Sequence, residues 1–317
     1  MAEGYMGVEA LRNYAAFDVG GSSIKYALMD ESGSIIKKSS IPTPKEGIEA
    51  FIEAIGKAVE EIRFISPVEG IAMSMPGAVD VVSGTIHGAS AVPYVHGPNI
   101  RELVEKRTGL PAELENDANC AGLAEGWIGA AKDVQDYICI VIGTGIGGAI
   151  VLDKKVRHGA SFHGGEFGYM IMEDYLDKPL GGSWSDLGAT GALVNIAAAR
   201  KGMDPDTLDG RKVFEMAEGG DKEIQEEIER FFKRLAVGIL NLHYIIDPEK
   251  ILIGGAISGR HDFCGRINRV LSSMKSDIHS LDVKAEVCRF GNDSNLIGAL
   301  YHFLQCQKAK DKVLDIR

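Results

Sequence analysis

The stretch IVIGTGIGGA, residues 140–149, places four glycines and a threonine at the end of an apolar run. Gly143, Gly145 and Gly148 loosely match the glycine spacing of dinucleotide-binding loops, which require a helix to begin at the glycines. The residues that follow, AIVLDKKV (149–156), have the pattern of a strand instead. The stretch therefore predicts a strand, a glycine-rich turn and a second strand. The turn either simply reverses the chain or binds phosphate.

The same layout occurs earlier, in DVGGSSIKYAL (18–28). A turn rich in Gly and Ser offers backbone N–H groups and hydroxyls to phosphate oxygens. Asp18 could hold Mg²⁺ through water, because hard cations prefer oxygen ligands, and Lys25 adds a positive charge. A plain hairpin with a solvated lysine remains the alternative. Because residues 14–30 and 137–153 share this layout, we expect two similar α/β halves, each with one such turn.

Periodicity along the rest of the chain indicates alternating helices and strands. Apolar residues at helical spacing predict helices over 46–64, 100–109, 221–246 and 295–307. Short buried runs predict strands over 70–77, 110–119 and 250–258, each bounded by glycine, proline or polar turn residues.

Composition narrows the class of protein. The chain has 317 residues, of which 45% are hydrophobic and 25% charged, so it can bury the cores of two ordinary domains. Its net charge of −11 argues against nucleic acid as a main partner. There is no signal-peptide pattern and no apolar run long enough to span a membrane. Five widely spaced cysteines indicate free thiols, and we expect a cytoplasmic protein.

The stretch LENDANCAGLAEG (114–126) predicts the end of a buried strand followed by a helix. Asp117 could accept a proton from a substrate hydroxyl. Asn or Asp before an apolar helical run is also an ordinary helix cap. The residues alone leave both interpretations open.

Two further glycine-rich stretches are candidates for binding. HGASFHGGEFGY (158–169) contains two histidines and Glu166, but their spacing matches no common zinc site. A binding loop that offers Glu166 to ligand hydroxyls fits better. IGGAIS (253–258) ends a strand, and its Gly-Gly backbone either packs against a flat ring or bends the chain.

In this order, the stretches jointly resemble the ROK family of bacterial sugar kinases and related repressors. The resemblance covers residues from about 14 to 305. It implies an α/β, two-domain actin-like ATPase (ribonuclease H-like) fold with the active site in the interdomain cleft. The matching motifs are the first phosphate motif DVGGSSIK (18–25, with Ser22 in place of Thr), the block ENDAN (115–119), the second phosphate motif IGTGIGGAIV (142–151), the adenosine motif ILIGGAIS (251–258) and NLIGAL (295–300).

The resemblance also implies a role for each matching residue. Asp117 is the general base that takes the proton from the sugar hydroxyl. Asn116 and Glu166 bind the sugar, and Gly77 in MPG lies in the wall of its pocket. Asp18 lies near Mg²⁺, through water. The residues implied to contact ATP are Asp18, Gly20, Gly21, Ser22, Lys25, Thr144, Gly145, Gly254 and Gly255.

One segment departs from the family pattern. Most members follow this glutamate with Gly-His and then CxCGxxGCxE, which bind a structural zinc; that histidine and the final glutamate also contact sugar. Here the positions are Tyr169 and, approximately, Ser185, and LGGSWSDLGATGAL (180–193) has no cysteine. We therefore expect no zinc site. Trp184 either stacks on an apolar sugar face or aglycone, or fills the space of the zinc loop.

The expected function is ATP-dependent phosphorylation of a hexose or hexose derivative, with glucokinase-like, N-acetylmannosamine kinase-like and β-glucoside kinase-like activities all open. The expected domains are 1–117 with 300–317, and 118–299, in a homodimer. A non-catalytic sugar-binding or regulatory ROK protein is the alternative. A repressor is disfavoured, because only 17 residues precede Asp18 and a DNA-binding helix-turn-helix would need more.

Overall fold

The computed structural model describes residues 11–173, 182–275 and 282–314, and the chain divides into two compact units. Unit 1 comprises Met1–Cys120 and Asn295–Arg317; unit 2 comprises Ala121–Ser294. The strands of the described residues are β1 (Asn13–Val19), β2 (Ser23–Asp30), β3 (Ile35–Pro42), β4 (Ile71–Met75), β5 (Ala78–Asp80), β6 (Thr85–His87), β7 (Ala112–Asn116), β8 (Tyr137–Ile142), β9 (Ile146–Leu152), β10 (Lys155–Val156), β11 (Lys250–Gly254) and β12 (Ala285–Val287). The helices are α1 (Ile48–Ile65), α2 (Ile100–Thr108), α3 (Asp117–Ile128), α4 (Trp184–Gly188), α5 (Thr190–Lys201), α6 (Gly210–Glu218), α7 (Lys222–Ile246), α8 (Phe263–Ser273) and α9 (Ser294–Leu314).

Unit 1 is built on a five-stranded sheet in the order β3-β2-β1-β4-β7. β1, β2 and β3 form an antiparallel meander, whereas β4 and β7 run parallel to β1. The carboxyl ends of β1, β4 and β7 therefore meet at one edge of the sheet. The register places Asp18 beside Ser74, and Met75 beside Asn116. This edge collects polar side chains that lie far apart in sequence.

Helix α1 shows why the core of unit 1 forms. Its buried side chains include Phe51, Ile55, Val59 and Ile62, at the three- and four-residue spacing of one helix face. They join Phe17 of β1 and other strand residues in one hydrophobic cluster. In α9, Gly298 lets this helix approach the backbone of Cys120 closely, because a Cβ at position 298 would collide with the Cys120 carbonyl oxygen.

Unit 2 repeats the strand pattern, with the order β10-β9-β8-β11-β12. β8 and β9 form an antiparallel hairpin, β10 extends it, and β11 and β12 run parallel to β8. The long helix α7 supplies much of the core through buried aromatic residues such as Phe231 and Phe232. The restart of the strand–turn–strand layout, expected from the sequence, is thus present in both sheets.

The unit boundaries fall within α3 and at the start of α9. The sequence placed the domain limits after residue 117 and before residue 300. Those limits stay a prediction, separate from these two compact units. No helix within the described residues is long and apolar enough to cross a membrane. All five cysteines carry free thiols.

Candidate active site

Asp18 lies at the carboxyl edge of the unit 1 sheet, and both of its oxygens accept hydrogen bonds. Ser74 Oγ and Asn295 Nδ2 donate to Oδ1 over 3.1 and 2.9 Å. Lys25 Nζ lies 3.2 Å from Oδ2, because the hairpin register pairs these two residues. The Asp18 side chain is 11% exposed, so its donors offset the cost of burying its charge. Because both oxygens already accept hydrogen bonds from the protein, Asp18 is suited to hold a Mg²⁺ ion through water and not by direct coordination.

The first glycine turn follows Asp18 directly. Gly20 donates its N–H to the carbonyl of Ser23 over 3.0 Å, and Thr43 Oγ1 donates to the carbonyl of Gly20 over 2.6 Å. A Cβ on Gly21 would lie 2.6 Å from that of Ala91, so only glycine fits the close approach. Gly21 and Ser22 are exposed on this braced turn.

Asn116 and Asp117 stand where β7 passes into α3. Asn116 Oδ1 accepts the N–H of Asn119 over 3.1 Å and so caps the helix, as one of the two sequence interpretations proposed for this pair. Asn116 Nδ2 donates to Asp117 Oδ1 and to the carbonyl of Gly77, both over 3.0 Å. The N–H of Ala118 donates to the same Asp117 oxygen over 2.8 Å. The cap residue thus orients the Asp117 carboxylate at the sheet edge.

Only glycine fits at position 77. Its φ is +97°, and a Cβ would lie 2.9 Å from His96 Cε1 and 3.0 Å from Ile86 Cγ2. The backbone here therefore follows a path that brings its carbonyl to Asn116. In unit 1 the structure gathers Asp18, Gly77, Asn116 and Asp117 at one edge.

The second glycine turn lies between β8 and β9 of unit 2. The N–H of Gly143 donates to the carbonyl of Gly145 over 2.9 Å, and Thr144 and Gly145 are exposed. The N–H of Gly191, in the first turn of α5, donates to the carbonyl of Gly143 over 3.3 Å. A Cβ on Gly191 would lie 2.5 Å from the Thr144 carbonyl oxygen. The turn is held against the beginning of a helix, where anions are favoured.

Gly254 and Gly255 end β11. Gly255 has φ +90°, and a Cβ there would collide with the carbonyl of Ile142, the last residue of β8. The chain then forms a short 3₁₀ helix, Ala256–Gly259. That helix and the start of α6 line a cavity of about 480 Å³ in unit 2, a size typical of small-molecule sites. Arg260 also lines the cavity, and its guanidinium lies 4.2 Å from the centre of the Phe214 ring.

Glu166 precedes the 3₁₀ helix Phe167–Tyr169 in a glycine-rich loop of unit 2. Its carboxyl is partly buried, and desolvation raises its pKa, an effect that the nearby His163 opposes. Gly165 must be glycine, because its φ is +93° and a Cβ would collide with the Gly148 carbonyl of β9. The loop is therefore fixed to the strand that follows the second glycine turn.

The model of the ROK family matches residues 14–306. The chain belongs to the ROK family. A β-glucoside kinase of Listeria monocytogenes is 34% identical over 92% of this chain and 97% of its own. A ROK family protein from Streptococcus pneumoniae, solved in complex with sucrose, is 38% identical, with a TM-score of 0.86 over 94% of this chain and 99% of its own.

A third relative bears on the nucleotide. A ROK family glucokinase from Streptomyces griseus, solved in complex with glucose and AMPPNP, is 27% identical, with a TM-score of 0.77 over 91% of this chain and 98% of its own. These structures confirm the α/β, actin-like ATPase fold expected for this ROK-family chain.

The segment that departs from the ROK pattern has a structural role in this chain. Trp184 is fully buried, its Nε1 donates to the carbonyl of Arg234 over 3.1 Å, and a Cβ on Gly238 of α7 would collide with its ring. The idea that Trp184 stacks on a sugar face is therefore wrong, and the ring fills core space instead.

Ser185 Oγ accepts the N–H of Ile146 over 2.9 Å at the second glycine turn. Tyr169 is 76% exposed, and residues 180 and 181 of the segment lie outside the described part.

Sequence reasoning missed two groups of residues in this ROK-family site. Ser74 bonds Asp18 from a strand interior that has no distinctive local pattern. Asn295 also bonds Asp18, and although it opens the NLIGAL motif (295–300), its role was not predicted from the sequence. Phe214 and Arg260 line the cavity, and only the three-dimensional fold pairs them. Asp209 could have been found, since an Asp before a helical run predicts a cap, and its side chain accepts the N–H of Lys212 over 2.8 Å. A second cavity of about 490 Å³, beside α1 and β3, contains none of the candidate residues.

Proposed function

We propose that this ROK-family sugar kinase transfers the γ-phosphoryl group of ATP to a hydroxyl of a hexose or hexose derivative, with Asp117 as the general base. The observation that carries the proposal is the fixed orientation of Asp117. Its Oδ1 accepts hydrogen bonds from Asn116 Nδ2 and from the N–H of Ala118 at the start of α3. A positioned carboxylate at a sheet edge is what proton transfer from a sugar hydroxyl requires.

Besides the general base, the reaction requires the protein to position the reactants and to neutralise phosphate charge. The sugar oxygen forms a bond to the γ-phosphorus as the bond to the bridging oxygen breaks, ADP keeps that electron pair, and Asp117 takes the hydroxyl proton. Catalysis of such a transfer rests on positioning and on neutralising phosphate charge. Mg²⁺, when bound, supplies part of that neutralisation, and Asp18 is the residue that would hold it through water. The turns at Gly20–Ser22 and Thr144–Gly145 would receive the phosphates.

The cavity in unit 2 is the proposed site for adenosine. It begins directly after Gly254 and Gly255, and the Arg260 guanidinium, which lies over the buried Phe214 ring, offers a flat surface for a ring. Its volume of about 480 Å³ falls within the range for small-molecule sites. The Gly255 backbone, which no other residue can replace without strain, sets the direction of the lining helix.

For the acceptor, we propose a β-glucoside. The support is the likeness to a β-glucoside kinase over nearly the full length of both chains. Tyr169 adds a structural reason: it follows Glu166 by three residues, one turn of a 3₁₀ helix, and exposes most of its ring. With Asn116 and Glu166 as ligands of the sugar hydroxyls, the Tyr169 ring would contact an aglycone.

Asn116 has a second part in this scheme besides binding the sugar. Its Nδ2 already donates to Gly77 and Asp117, and its Oδ1 accepts from Asn119. A direct bond to sugar would use the second lone pair of Oδ1. Its main contribution is to hold Asp117 and Gly77 together.

A coupled assay of ADP release tests the function. ATP would be offered with glucose, N-acetylmannosamine, mannose, fructose and cellobiose. We expect turnover that depends on sugar, with the highest kcat/KM for cellobiose. Turnover highest with another sugar would contradict the β-glucoside assignment alone, whereas no sugar-dependent turnover across a wider panel would contradict the kinase. A non-catalytic sugar-binding protein, the alternative from sequence, would give that second result.

Several expectations remain predictions. These are the homodimer, the cytoplasmic location, the use of Mg²⁺ and the absence of a nucleic-acid partner. Size-exclusion chromatography with light scattering would test the first directly.

A further inference from the structure

A cluster of three potential metal ligands lies in unit 1, apart from the residues assigned to catalysis. Glu113 belongs to β7, while His302 and Cys306 lie one turn apart on α9 and so share a helix face. One ligand atom from each side chain lies within 4.8 Å of the other two. Among the described residues, this is the one group of three or more such side chains gathered this closely.

The types of donor are those of zinc sites. Thiolate, imidazole and carboxylate all bind Zn²⁺, and a tetrahedral ion sets its ligands about 3.5 Å apart. Cys306 Sγ already lies 3.5 Å from His302 Nε2. Glu113 is 2% exposed, so its carboxylate is held away from bulk water. A small contraction of the cluster would complete three sides of a tetrahedron, with water as the fourth ligand.

A second observation concerns the other nitrogen of His302. Its Nδ1 lies 3.6 Å from Glu115 Oε2, on the fully buried Glu115 side chain. Metal-bound histidines commonly direct their other ring nitrogen toward a carboxylate, which fixes the ring. Glu115 is itself held by the N–H of Asn116 and by Asn119 Nδ2, over 2.7 and 3.0 Å. The arrangement leaves His302 Nε2 directed at Cys306.

We propose that Glu113, His302 and Cys306 bind a Zn²⁺ ion that joins β7 to α9. This revises the sequence-based expectation of no zinc site, which concerned the segment around 169–193. The ion would connect the strand that ends at Asn116 with the helix whose Asn295 bonds Asp18. Its role would be structural, within unit 1.

Two cations compete for Glu113. Lys310 Nζ lies 2.7 Å from Oε1, and Arg101 Nη2 lies 2.9 Å from Oε2. The Lys310 side chain is 56% exposed, so its ammonium group can move into water, whereas the buried Glu113 carboxylate still needs a cation in its place. Arg101 also donates to the carbonyls of Val81 and Val82, over 2.5 and 2.9 Å, and would stay. Zn²⁺ would therefore replace Lys310 at Oε1, and this competition is a signature that can be measured.

The test uses the full chain, first treated with a chelator and then titrated with Co²⁺ and Zn²⁺. We expect one Co²⁺ per chain, with a thiolate-to-cobalt charge-transfer band and the visible bands of a four-coordinate ion, all lost when Zn²⁺ is added. Cys306→Ser should abolish the charge-transfer band. Cys264→Ser, a buried cysteine of unit 2, is the matched control and should leave it unchanged. Zn²⁺ should raise the Tm of the wild type but not of Cys306→Ser.

Lys310→Met gives an independent readout on an exposed side chain, should Cys306→Ser fail to fold. It removes the competitor and should tighten Zn²⁺ binding by roughly tenfold, a factor of the size seen for groups around metal sites. The proposal is overturned if the wild type gives no charge-transfer band, if the band survives in Cys306→Ser, or if Lys310→Met leaves the Zn²⁺ affinity unchanged or weaker.

Discussion

Asn295 donates a hydrogen bond from Nδ2 to Asp18 Oδ1 over 2.9 Å, across 277 positions of the chain. Both residues belong to unit 1, which takes its sheet from the beginning of the chain and α9 from the end. Ser74 donates to the same oxygen over 3.1 Å. The carboxylate proposed to lie near Mg²⁺ is thus oriented by the last helix of the chain.

Asn295→Ala should therefore weaken nucleotide use as well as stability. A hydrogen bond to a charged group contributes about 1.5–3 kcal/mol, and its loss leaves Asp18 to Ser74 and Lys25. We expect a lower Tm and a higher KM for ATP, measured by calorimetry and by ADP release. Asn292→Ala, an exposed asparagine three residues earlier, is the control and should change neither.

Gly255→Ala should destabilise the protein by about 2 kcal/mol or more, because φ is +90° and the methyl group would collide with the Ile142 carbonyl. The control is Gly259→Ala, at the end of the 3₁₀ helix that follows Gly255, where a Cβ meets nothing within 4 Å. Urea denaturation of both variants compares them directly. Equal stabilities would show that the β11 turn does not need its glycine.

Glu166→Gln tests the electrostatics of the sugar loop. Burial raises the pKa of Glu166 above its ordinary value. On rising pH the unfolded chain therefore loses this proton first, so the wild type loses stability between the ordinary and the raised pKa. Glu166→Gln should have a higher Tm than the wild type at neutral pH, and the difference should vanish below the ordinary pKa of glutamate. A variant that is less stable at neutral pH would indicate that the ionised carboxylate is stabilised in the fold.

Tyr169→Ala tests the acceptor assignment. Removing an exposed ring should leave stability nearly unchanged, since surface substitutions usually stay within about 0.5 kcal/mol. We expect kcat/KM for cellobiose to fall about tenfold and that for glucose to change little. An equal effect on both sugars would place Tyr169 outside the aglycone contact. Tyr244→Ala, another exposed tyrosine of unit 2, is the control.

Local patterns were enough to predict much of the fold. The strand–turn–strand layout gave both hairpins, and apolar periodicity over 221–246 corresponds to α7, Lys222–Ile246. These features depend on residues close together in the sequence, so local patterns are enough to predict them. The start of α3 could also be predicted from the sequence, because Asn116 followed by Asp117 is a helix-start signal.

Residues whose roles depend on distant partners were harder to predict. The sequence allowed Trp184 either to stack on a ligand or to fill the space of the zinc loop, and only the close approach of Gly238 of α7 decides for the second. The pairing of Ser74 and Asn295 at Asp18 depends on parallel strand order and on α9, which no single stretch encodes. Likewise, Glu113 gave no sign of His302 and Cys306, which lie almost two hundred positions away.

The most direct test of the account is the kinetics of Asp117→Asn. The substitution keeps the size of the side chain but removes its ability to accept a proton. We expect kcat with the best sugar to fall about 10²–10⁴-fold, while sugar affinity measured by calorimetry stays within a few fold of the wild type. Asp133→Asn, an exposed aspartate of unit 2, serves as the control and should keep full activity. A kcat for Asp117→Asn close to that of the wild type would contradict the assignment of Asp117 as the general base.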